Sequence, residues 1–204
     1  MRCNRLPRIL LLCALFALDS GRSEATTYTI TTLVDDLTTN GNCTLREAVQ
    51  AAFLNAPVDL CPAGSGSDMD TIELGAGTYL LPLGVLDVSG CFQLRLRGPA
   101  ASPPVAVLSG ESANRVMTML GGCSLILEDL EIRDGLDLGI DVPIGGGVRA
   151  VEASLTLRRV RFFGNVARRG GALAWAATGG SRHLVIEDSH FEQNRAQRPD
   201  AHDA

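Results

Sequence analysis

The chain has 204 residues, a formal net charge of -5 and 46% hydrophobic residues, but only 4% aromatic residues. This length fits one domain, or one domain with a small cap. All 18 basic residues are Arg, and the acidic balance leaves no basic surplus for binding nucleic acid or an anionic membrane. The scarcity of aromatic residues argues against a cleft built from stacking platforms.

Residues 1–25 are typical of a secretory signal peptide. Three arginines precede the apolar run 9–18, and Ser23-Glu24-Ala25 has the small-x-small pattern of a cleavage site, which we place after Ala25. The apolar run is too short to anchor the chain in a bilayer, and no later segment is long and apolar enough to span one. We therefore expect an exported mature chain without a transmembrane span.

Export changes the expected state of the cysteines. Cys43, Cys61, Cys91 and Cys123 remain after the signal is removed, and an even number in an oxidising compartment predicts two disulfides. Their spacings contain no CxxC pair, which argues against a zinc site. Counting leaves three pairings open, and the register of the repeat described below favours Cys43–Cys61 and Cys91–Cys123.

Residues 44–55 are predicted to form a helix. Thr44 and Glu47 have the spacing of a capping box, in which each side chain satisfies an exposed backbone amide of the other residue. The predicted apolar stripe consists of Leu45, Ala48, Val49, Ala52 and Phe53. Arg46 and Gln50 lie off this stripe, so we expect both to be solvated.

Further along, the sequence repeats with a period near 30. The segments 125–132, 155–162 and 184–191 align without gaps, Leu94-Arg95-Leu96-Arg97 fits the same start one period earlier, and Ile72-Glu73-Leu74 fits less fully. The apolar columns of this alignment are Leu125/Leu155/Leu184, Leu127/Leu157/Ile186 and Ile132/Phe162/Phe191. Self-similarity at this period predicts stacked structural units with these side chains inside.

Charged residues of the repeat alternate in sign from one copy to the next. One column contains Arg97, Glu128, Arg158 and Glu187, and its neighbour contains Asp129, Arg159 and Asp188. If successive coils stack as parallel strands about 4.8 Å apart, each charge faces an opposite charge above and below. The pattern predicts a mainly β fold, a parallel β-helix of roughly four coils over residues 83–196.

The corners and ends of this β-helix can also be predicted. Gly135, Asn165 and Asn194 share one column, where we expect turn geometry with positive φ, and glycines at 145–147 and 170–171 indicate further corners. The helix precedes the first coil and is the natural cap for that open end.

The last aligned strand is followed by a polar segment with no apolar stripe, including the tail 197–204. Because an uncovered parallel edge is a template for pairing, we expect a truncated β-helix that self-associates through residues 184–191.

Cys43-Thr44-Leu45-Arg46-Glu47-Ala48 resembles the signature of the CSLREA domain, with Thr where that name has Ser. Residues 61–64 and 70–79 are similar to its continuation, so 26–82 are assigned to a CSLREA-like cap and first coil. The resemblance implies that a right-handed parallel β-helix follows, as in exported bacterial proteins related to polymorphic outer-membrane proteins. It implies placement outside the cell or at its surface or outer membrane, and it brings no established catalytic residues.

The candidate catalytic groups are charges of the repeat, namely Glu128, Asp129, Glu131, Glu187 and Asp188 with Arg158, Arg159 and Arg161. β-Helices that cleave polysaccharides need convergent carboxylates, or calcium with a basic Arg. A self-neutralising charge ladder explains the alternation better, and fold analogy alone is weak support for catalysis. His183, His190 and His202 show neither ligand spacing nor a triad.

Two acidic loops are candidate calcium sites. The first contains Asp134, Asp137 and Asp141, and the second contains Asp68 and Asp70. Neither matches the twelve-residue calcium loop with its terminal Glu, so we favour solvated loops and predict no cofactor.

The whole pattern favours a secreted or surface-displayed structural module of the adhesion type, without catalytic activity, whose partner is a surface ligand or glycan. The alternatives are a carbohydrate-active β-helix enzyme and a metal-stabilised binding module. The first two hypotheses differ in one observable feature: acids and arginines converge in a groove in an enzyme, and spread as ladders in a structural module.

Overall fold

The computed structural model describes residues 24–90, 93–139 and 145–197. The predicted signal peptide and polar tail therefore lie almost wholly outside the described residues. Within these ranges the helix is α1 (Leu45–Leu54). The strands in the same ranges are β1 (Thr27–Thr29), β2 (Asp70–Glu73), β3 (Gly77–Leu80), β4 (Leu86–Asp87), β5 (Gln93–Arg97), β6 (Ala106–Ser109), β7 (Met117–Leu120), β8 (Ser124–Glu128), β9 (Leu130–Arg133), β10 (Leu136–Asp137), β11 (Val148–Val151), β12 (Ser154–Arg158), β13 (Arg161–Phe163), β14 (Val166–Ala167), β15 (Leu173–Ala176), β16 (Leu184–Glu187), β17 (His190–Glu192) and β18 (Arg195–Ala196).

The described strands form four sheets in which neighbouring strands are parallel. The strand orders are β1-β2-β5-β8-β12-β16 in sheet 1, β3-β6-β9-β13-β17 in sheet 2, β4-β7-β11-β15 in sheet 3 and β10-β14-β18 in sheet 4. Each strand pairs with its counterpart in the next coil, so the chain winds through the sheets in turn. The fold is a parallel β-solenoid of about four turns, which confirms the predicted architecture.

The strand register confirms the predicted apolar columns. Leu94, Leu125, Leu155 and Leu184 are successive partners in sheet 1, as are Leu96, Leu127, Leu157 and Ile186. The weaker fit of β2 has a structural cause, because Asp70 is the partner of Leu94 and Ile72 is the partner of Leu96. β2 therefore joins the sheet two residues out of the predicted alignment.

Burial follows position along the stack. Leu127, Leu157 and Phe162 are fully buried, whereas Ile186 and Phe191 in the last described coil are 46% and 44% exposed. Phe191 stacks on Phe162 with ring centroids 4.9 Å apart, close to the spacing of paired strands. Among the described residues, the apolar side chains of the last described coil therefore pack against a neighbouring coil on one side only.

The column Gly135, Asn165 and Asn194 does not form the predicted turn with positive φ. Positive φ occurs one residue earlier in each coil, at Asp134 (51°), Gly164 (66°) and Gln193 (54°), so the expectation for this column was wrong. The two asparagines instead form a ladder of side-chain hydrogen bonds. Asn165 Nδ2 donates to Asn194 Oδ1 at 2.9 Å, and Asn165 Oδ1 accepts from the Gly135 amide at 2.9 Å.

The same column shows why its first member is a glycine. A Cβ on Gly135 would lie 2.0 Å from the Gly146 carbonyl oxygen of the neighbouring turn. Glycine at this position therefore permits a close backbone approach, while asparagine in the next two coils supplies hydrogen bonds.

The helix lies at the first coil, where α1 packs against β2. Thr44 Oγ1 accepts from the Glu47 amide and Glu47 Oε2 accepts from the Thr44 amide, so the predicted capping box is present. Leu45, Ala48 and Val49 are buried as predicted, but Phe53 is 51% exposed. Glu47 and Ala51 are buried as well, so the buried face is rotated away from the predicted stripe. No helix among the described residues is long and apolar enough to cross a membrane.

Candidate functional site

The residues of the CSLREA-like motif hold the cap together. Cys43 forms the predicted disulfide with Cys61, with Cα atoms 4.9 Å apart, and both residues are buried. Thr44 and Glu47 are the fully buried capping pair, and Leu45 and Ala48 face the core. The second predicted disulfide includes Cys91, which lies outside the described residues, so Cys91–Cys123 stays a prediction.

Arg46 corrects the expectation of a solvated side chain. Its Nε and Nη2 atoms donate to the two carboxylate oxygens of Asp35 at 2.6 and 2.9 Å. The same guanidinium donates to the carbonyl oxygens of Val85 and Gly84 at 3.1 and 2.8 Å. Only 14% of the Arg46 side chain and 4% of the Asp35 side chain are exposed. Arg46 therefore joins the helix to the segment before it and to the loop that precedes β4.

The candidate site that the structure offers is the corner between sheets 1 and 2. Asp129, Arg159 and Asp188 occupy this corner in successive coils with φ of 55°, 52° and 48°. Left-handed backbone is uncommon for residues other than Gly, Asn and Asp, so an arginine there is an unusual feature. The conformation turns the chain from one strand into the next and places charged side chains on the outer surface of the solenoid.

A loop covers this corner and makes it concave. Residues 99–105 lie between β5 and β6, and residues of this loop line depressions on both sides of it together with Arg159. One groove of about 620 Å³, here called the corner groove, is lined by Ala101, Ser102, Pro103, Pro104, Arg159, Val160, Arg161, Asp188, His190 and Glu192. A second depression of about 440 Å³ on the other side of the loop shares Arg159 and extends to Glu73 and Arg97.

The charges predicted from the repeat meet at this corner as ion pairs. Arg159 contacts Glu128 at 2.6 Å and Asp129 at 2.7 Å. Arg161 contacts Glu131 at 2.7 Å and Glu192 at 2.9 Å. Arg159 therefore pairs with two carboxylates at adjacent positions of one coil, and Arg161 pairs with one carboxylate from each neighbouring coil.

The ladder on the outer face of sheet 1 extends further than predicted. Glu73, Arg97, Glu128, Arg158 and Glu187 are successive register partners, so Glu73 adds a rung at the first coil. Arg97 pairs with Glu73, and Arg158 contacts Glu187 at 2.9 Å. The acids and arginines thus form ladders, and they also converge where the loop covers the corner.

These pairs set the electrostatics of the corner groove. The hydrogen bond from Arg161 lowers the pKa of Glu192 below its ordinary value. Hydrogen bonds to Asp129 and Glu128 raise the pKa of Arg159, and those to Glu192 and Glu131 raise the pKa of Arg161. A general acid of a glycosidase needs a carboxyl with a raised pKa, and the shift at Glu192 has the opposite sign.

The groove also offers groups suited to contact with a sugar. Asp188 and His190 are exposed, and each lacks an ion pair in the described part of the chain. Phe163, two residues after Arg161 on the same strand face, is not among the residues that line the groove, and its ring packs against the Arg161 and Arg133 guanidinium carbons at 4.5 and 5.5 Å from its centroid. The exposed polar side chains of Asp188 and His190 can form hydrogen bonds with the hydroxyl groups of a saccharide. Sequence reasoning missed this arrangement because the covering loop lies outside the repeat.

The candidate calcium residues are engaged in other contacts. Asp134 contacts Arg133 at 2.7 Å, Asp137 pairs with Arg115, and buried Asp70 accepts hydrogen bonds from the Thr26 and Ser65 amides. Asp68 forms hydrogen bonds with Ser65 and Ser67. The described residues contain no group of three His, Cys, Asp or Glu side chains placed to hold a metal ion. Asp141 and His202 lie outside the described ranges.

Comparison of the chain with protein-family models, curated proteins and solved structures finds no match in any of the three. The resemblance to the CSLREA domain therefore rests on the motif residues themselves.

Proposed function

We propose that this protein is an exported β-solenoid that acts at the cell surface as a structural, adhesion-type module and binds a glycan in the corner groove. The observation that carries the proposal is the pairing of the groove's two arginines with carboxylates in and beside the groove. Arg159 and Arg161 hold Glu128, Asp129, Glu131 and Glu192 in hydrogen bonds. Paired groups of this kind offer fixed donors and acceptors to a ligand, whereas acid–base catalysis requires a carboxyl free to exchange its proton.

Export and surface placement follow from the signal-peptide pattern of residues 1–25 and from the resemblance of residues 28–82 to the CSLREA domain. In this proposal the motif residues stabilise the cap, and the coils beyond carry the binding surface. The rival function is a carbohydrate-active enzyme of the lyase or hydrolase type, which the convergence of Arg161, Asp188 and His190 in one groove favours.

A panel of glycans and polysaccharides, scored for both binding and cleavage, separates these functions. We expect saturable binding without release of new chain ends or unsaturated products. Cleavage would support the enzyme instead, and the absence of both binding and cleavage would contradict a glycan-binding groove.

Matched histidine variants locate the binding surface. His190 lines the groove and His183 is exposed elsewhere in the last described coil. We expect His190→Ala, combined with Asp188→Ala, to weaken binding by about tenfold or more, since each lost hydrogen bond contributes roughly 0.5–1.5 kcal/mol. His183→Ala should bind like the parent chain. Equal affinities of both variants would show that the glycan binds outside the corner groove.

The last described coil supports a second part of the proposal, self-association through residues 184–191. Ile186 and Phe191 are about half exposed there, and the outer edges of β16 and β17 have no strand neighbour among the described residues. Unpaired parallel edges with apolar side chains pair readily with other strands. Sedimentation of the purified chain should show concentration-dependent association, and a stable monomer at high concentration would contradict this part of the proposal.

A further inference from the structure

The outer face of sheet 3 contains an arginine, Arg149, that has no carboxylate partner among the described residues. Arg149 on β11 lies between Thr118 on β7 and Ala174 on β15 in the strand register, and Asp87 on β4 is the next residue beyond Thr118. This arrangement differs from the ladders of sheets 1 and 2. In those sheets every strand arginine that the structure describes lies within 4.0 Å of a carboxylate.

A second guanidinium lies beside Arg149. Arg115 donates through Nη1 to the hydroxyl of Thr118 at 3.1 Å, and Thr118 is the direct cross-strand neighbour of Arg149. Arg115 also donates through Nε to the Gly145 carbonyl at 2.8 Å and pairs with Asp137 through Nη2. Its side chain is only 13% exposed, so these contacts fix its position.

Among the described residues, the two guanidiniums have one carboxylate partner between them. Asp137 is paired with Arg115, and Arg149 forms no hydrogen bond or ion pair with any described residue. The Nε atom of Arg149 is buried, although the side chain as a whole is only partly covered. Burial, and next the charge of Arg149, lower the pKa of Arg115. A buried donor and two adjacent like charges both cost free energy unless an anion compensates them.

We propose that Arg149, Arg115 and the hydroxyl of Thr118 form an oxyanion-binding site on sheet 3, suited to a carboxylate or sulfate group. Guanidinium groups bind such groups through two parallel hydrogen bonds, and the Nη groups of Arg149, unlike its buried Nε, are open to a ligand and have no partner among the described residues. The short side chain of Ala174 leaves the next rung of the column without a competing group. The site lies on a different sheet from the corner groove and does not depend on the glycan proposal.

Sulfate is the first probe. The thermal midpoint of the chain is measured against sodium sulfate and against sodium chloride at matched ionic strength, for the parent and for Arg149→Gln. Sulfate stabilises proteins generally through exclusion from the surface, but that effect is common to both chains. Specific binding adds a saturable stabilisation to the parent alone. Equal sulfate responses of the two chains would overturn the proposal.

We expect the variant Asp137→Asn to bind sulfate more tightly than the parent chain. Removing this carboxylate frees Arg115, so we expect the affinity for sulfate to rise about fivefold or more in isothermal titration. Unfolding cannot produce such a gain. Arg158→Gln, which removes a guanidinium from the ladder of sheet 1, is the matched control and should leave sulfate binding unchanged. A loss of affinity in Asp137→Asn, or an equal loss in Arg158→Gln, would contradict the assignment.

Three further ligands distinguish the source of the anion. Acetate tests a simple carboxylate, galacturonic acid tests a sugar carboxylate, and a sulfated oligosaccharide tests a sulfate ester. The affinity for each ligand is measured in Arg149→Gln and in His190→Ala. A ligand of the sheet 3 site should lose affinity in Arg149→Gln only, and a ligand of the corner groove in His190→Ala only. Binding of galacturonic acid or the sulfated oligosaccharide at least tenfold tighter than acetate or sulfate would identify an acidic saccharide as the ligand. Equal affinities would limit the site to free anions.

Discussion

At the first coils of the solenoid Tyr28, Ile72 and Leu94 are at most 1% exposed, whereas Ile186 and Phe191 in the last described coil are about half exposed. Both regions place large apolar residues in the columns of the stack, and Tyr28, Ile72 and Ile186 belong to the same column. Their difference lies in what covers them, because the first region has a helix, a disulfide and the Arg46–Asp35 pair above its core. Burial in a solenoid therefore depends on both neighbours of a coil, and a repeat sequence alone does not determine it.

The largest expected effect on the free energy of unfolding comes from placing a charge in one apolar column. Two single variants, at different positions of that column, are compared. Leu157 is fully buried and Ile186, its direct partner, is 46% exposed. Leu157→Asp should cost at least about 4 kcal/mol, because it buries an unpaired charge within the stack. Ile186→Asp should cost about 1 kcal/mol or less, because water solvates the new carboxylate. Urea denaturation followed by circular dichroism compares the two.

The same pair of variants tests the association of the last coil. Ile186→Asp should abolish the concentration dependence expected in sedimentation, because the edge would then carry a further charge. A well-folded Leu157→Asp chain would mean that this column faces solvent, and equal losses in both variants would show that Ile186 is covered in solution.

The next prediction compares a buried ion pair at the cap with an exposed pair near the last coil. Arg46→Met leaves the nearly buried Asp35 carboxylate without its cation, and we expect a loss of about 3–5 kcal/mol. Arg158→Met removes the pair with Glu187, whose side chains are 38% and 49% exposed, and should cost less than about 1 kcal/mol.

A double variant sharpens this comparison. Combining Arg46→Met with Asp35→Asn should recover part of the loss, because no unpaired charge then stays buried. Denaturation midpoints of the four chains provide the measurement. Similar costs for Arg46→Met and Arg158→Met would show that Arg46 does not fasten the cap.

The sequence predicted features that depend on spacing. The period near 30 correctly gave the partners of Leu125, Leu155 and Leu184, and the offset of three positions from Thr44 to Glu47 sufficed to predict the capping box. These predictions succeeded because stacked coils repeat their register and because a cap is local.

Other features depend on segments that no repeat connects. Arg46 was expected in solvent because its partners, Asp35 and the carbonyls of Gly84 and Val85, come from irregular segments on either side of the helix. The corner groove depends on the loop 99–105, which interrupts the pattern. Arg149 and Thr118 could not be paired from the sequence, because the strands of sheet 3 lie between the aligned segments and carry no shared motif.

A third prediction concerns the disulfide of the cap. Cys43 and Cys61 are 18 residues apart, and the chain-entropy account gives a contribution of about 3 kcal/mol for a loop of this size. The double variant Cys43→Ser/Cys61→Ser should lose about this amount relative to the oxidised parent. Hydrogen exchange should show faster opening of α1 while the last coil, which is far along the chain, exchanges as before.

Mass mapping of peptides without reduction provides the control for that experiment. It should recover a peptide pair joined through Cys43 and Cys61. A bond from Cys43 to Cys91 or Cys123 would contradict the structure of the cap.

The smallest expected effect separates the two asparagines of the ladder. Asn165 is fully buried, and its side chain satisfies the Gly135 amide and the Ile132 carbonyl. Asn165→Ala leaves both groups buried and unpaired, so we expect a loss of about 2 kcal/mol. Asn194 satisfies the Phe162 carbonyl and the Asn165 amide, but it lies in the last described coil and is partly exposed. Water can replace its contacts, and Asn194→Ala should cost under about 1 kcal/mol.

Amide exchange provides the site-specific measurement for this pair. In Asn165→Ala the Gly135 amide should exchange markedly faster, because its acceptor is gone, while amides of β5 and β8 stay protected. In Asn194→Ala the Gly135 amide should keep its protection, since Asn165 still accepts from it. If Asn194→Ala instead costs as much as Asn165→Ala, the last coil is covered in solution as fully as the coils below it. Another chain would then cover Ile186 and Phe191. Dilution of the sample in the same exchange experiment should separate the chains and expose these side chains again.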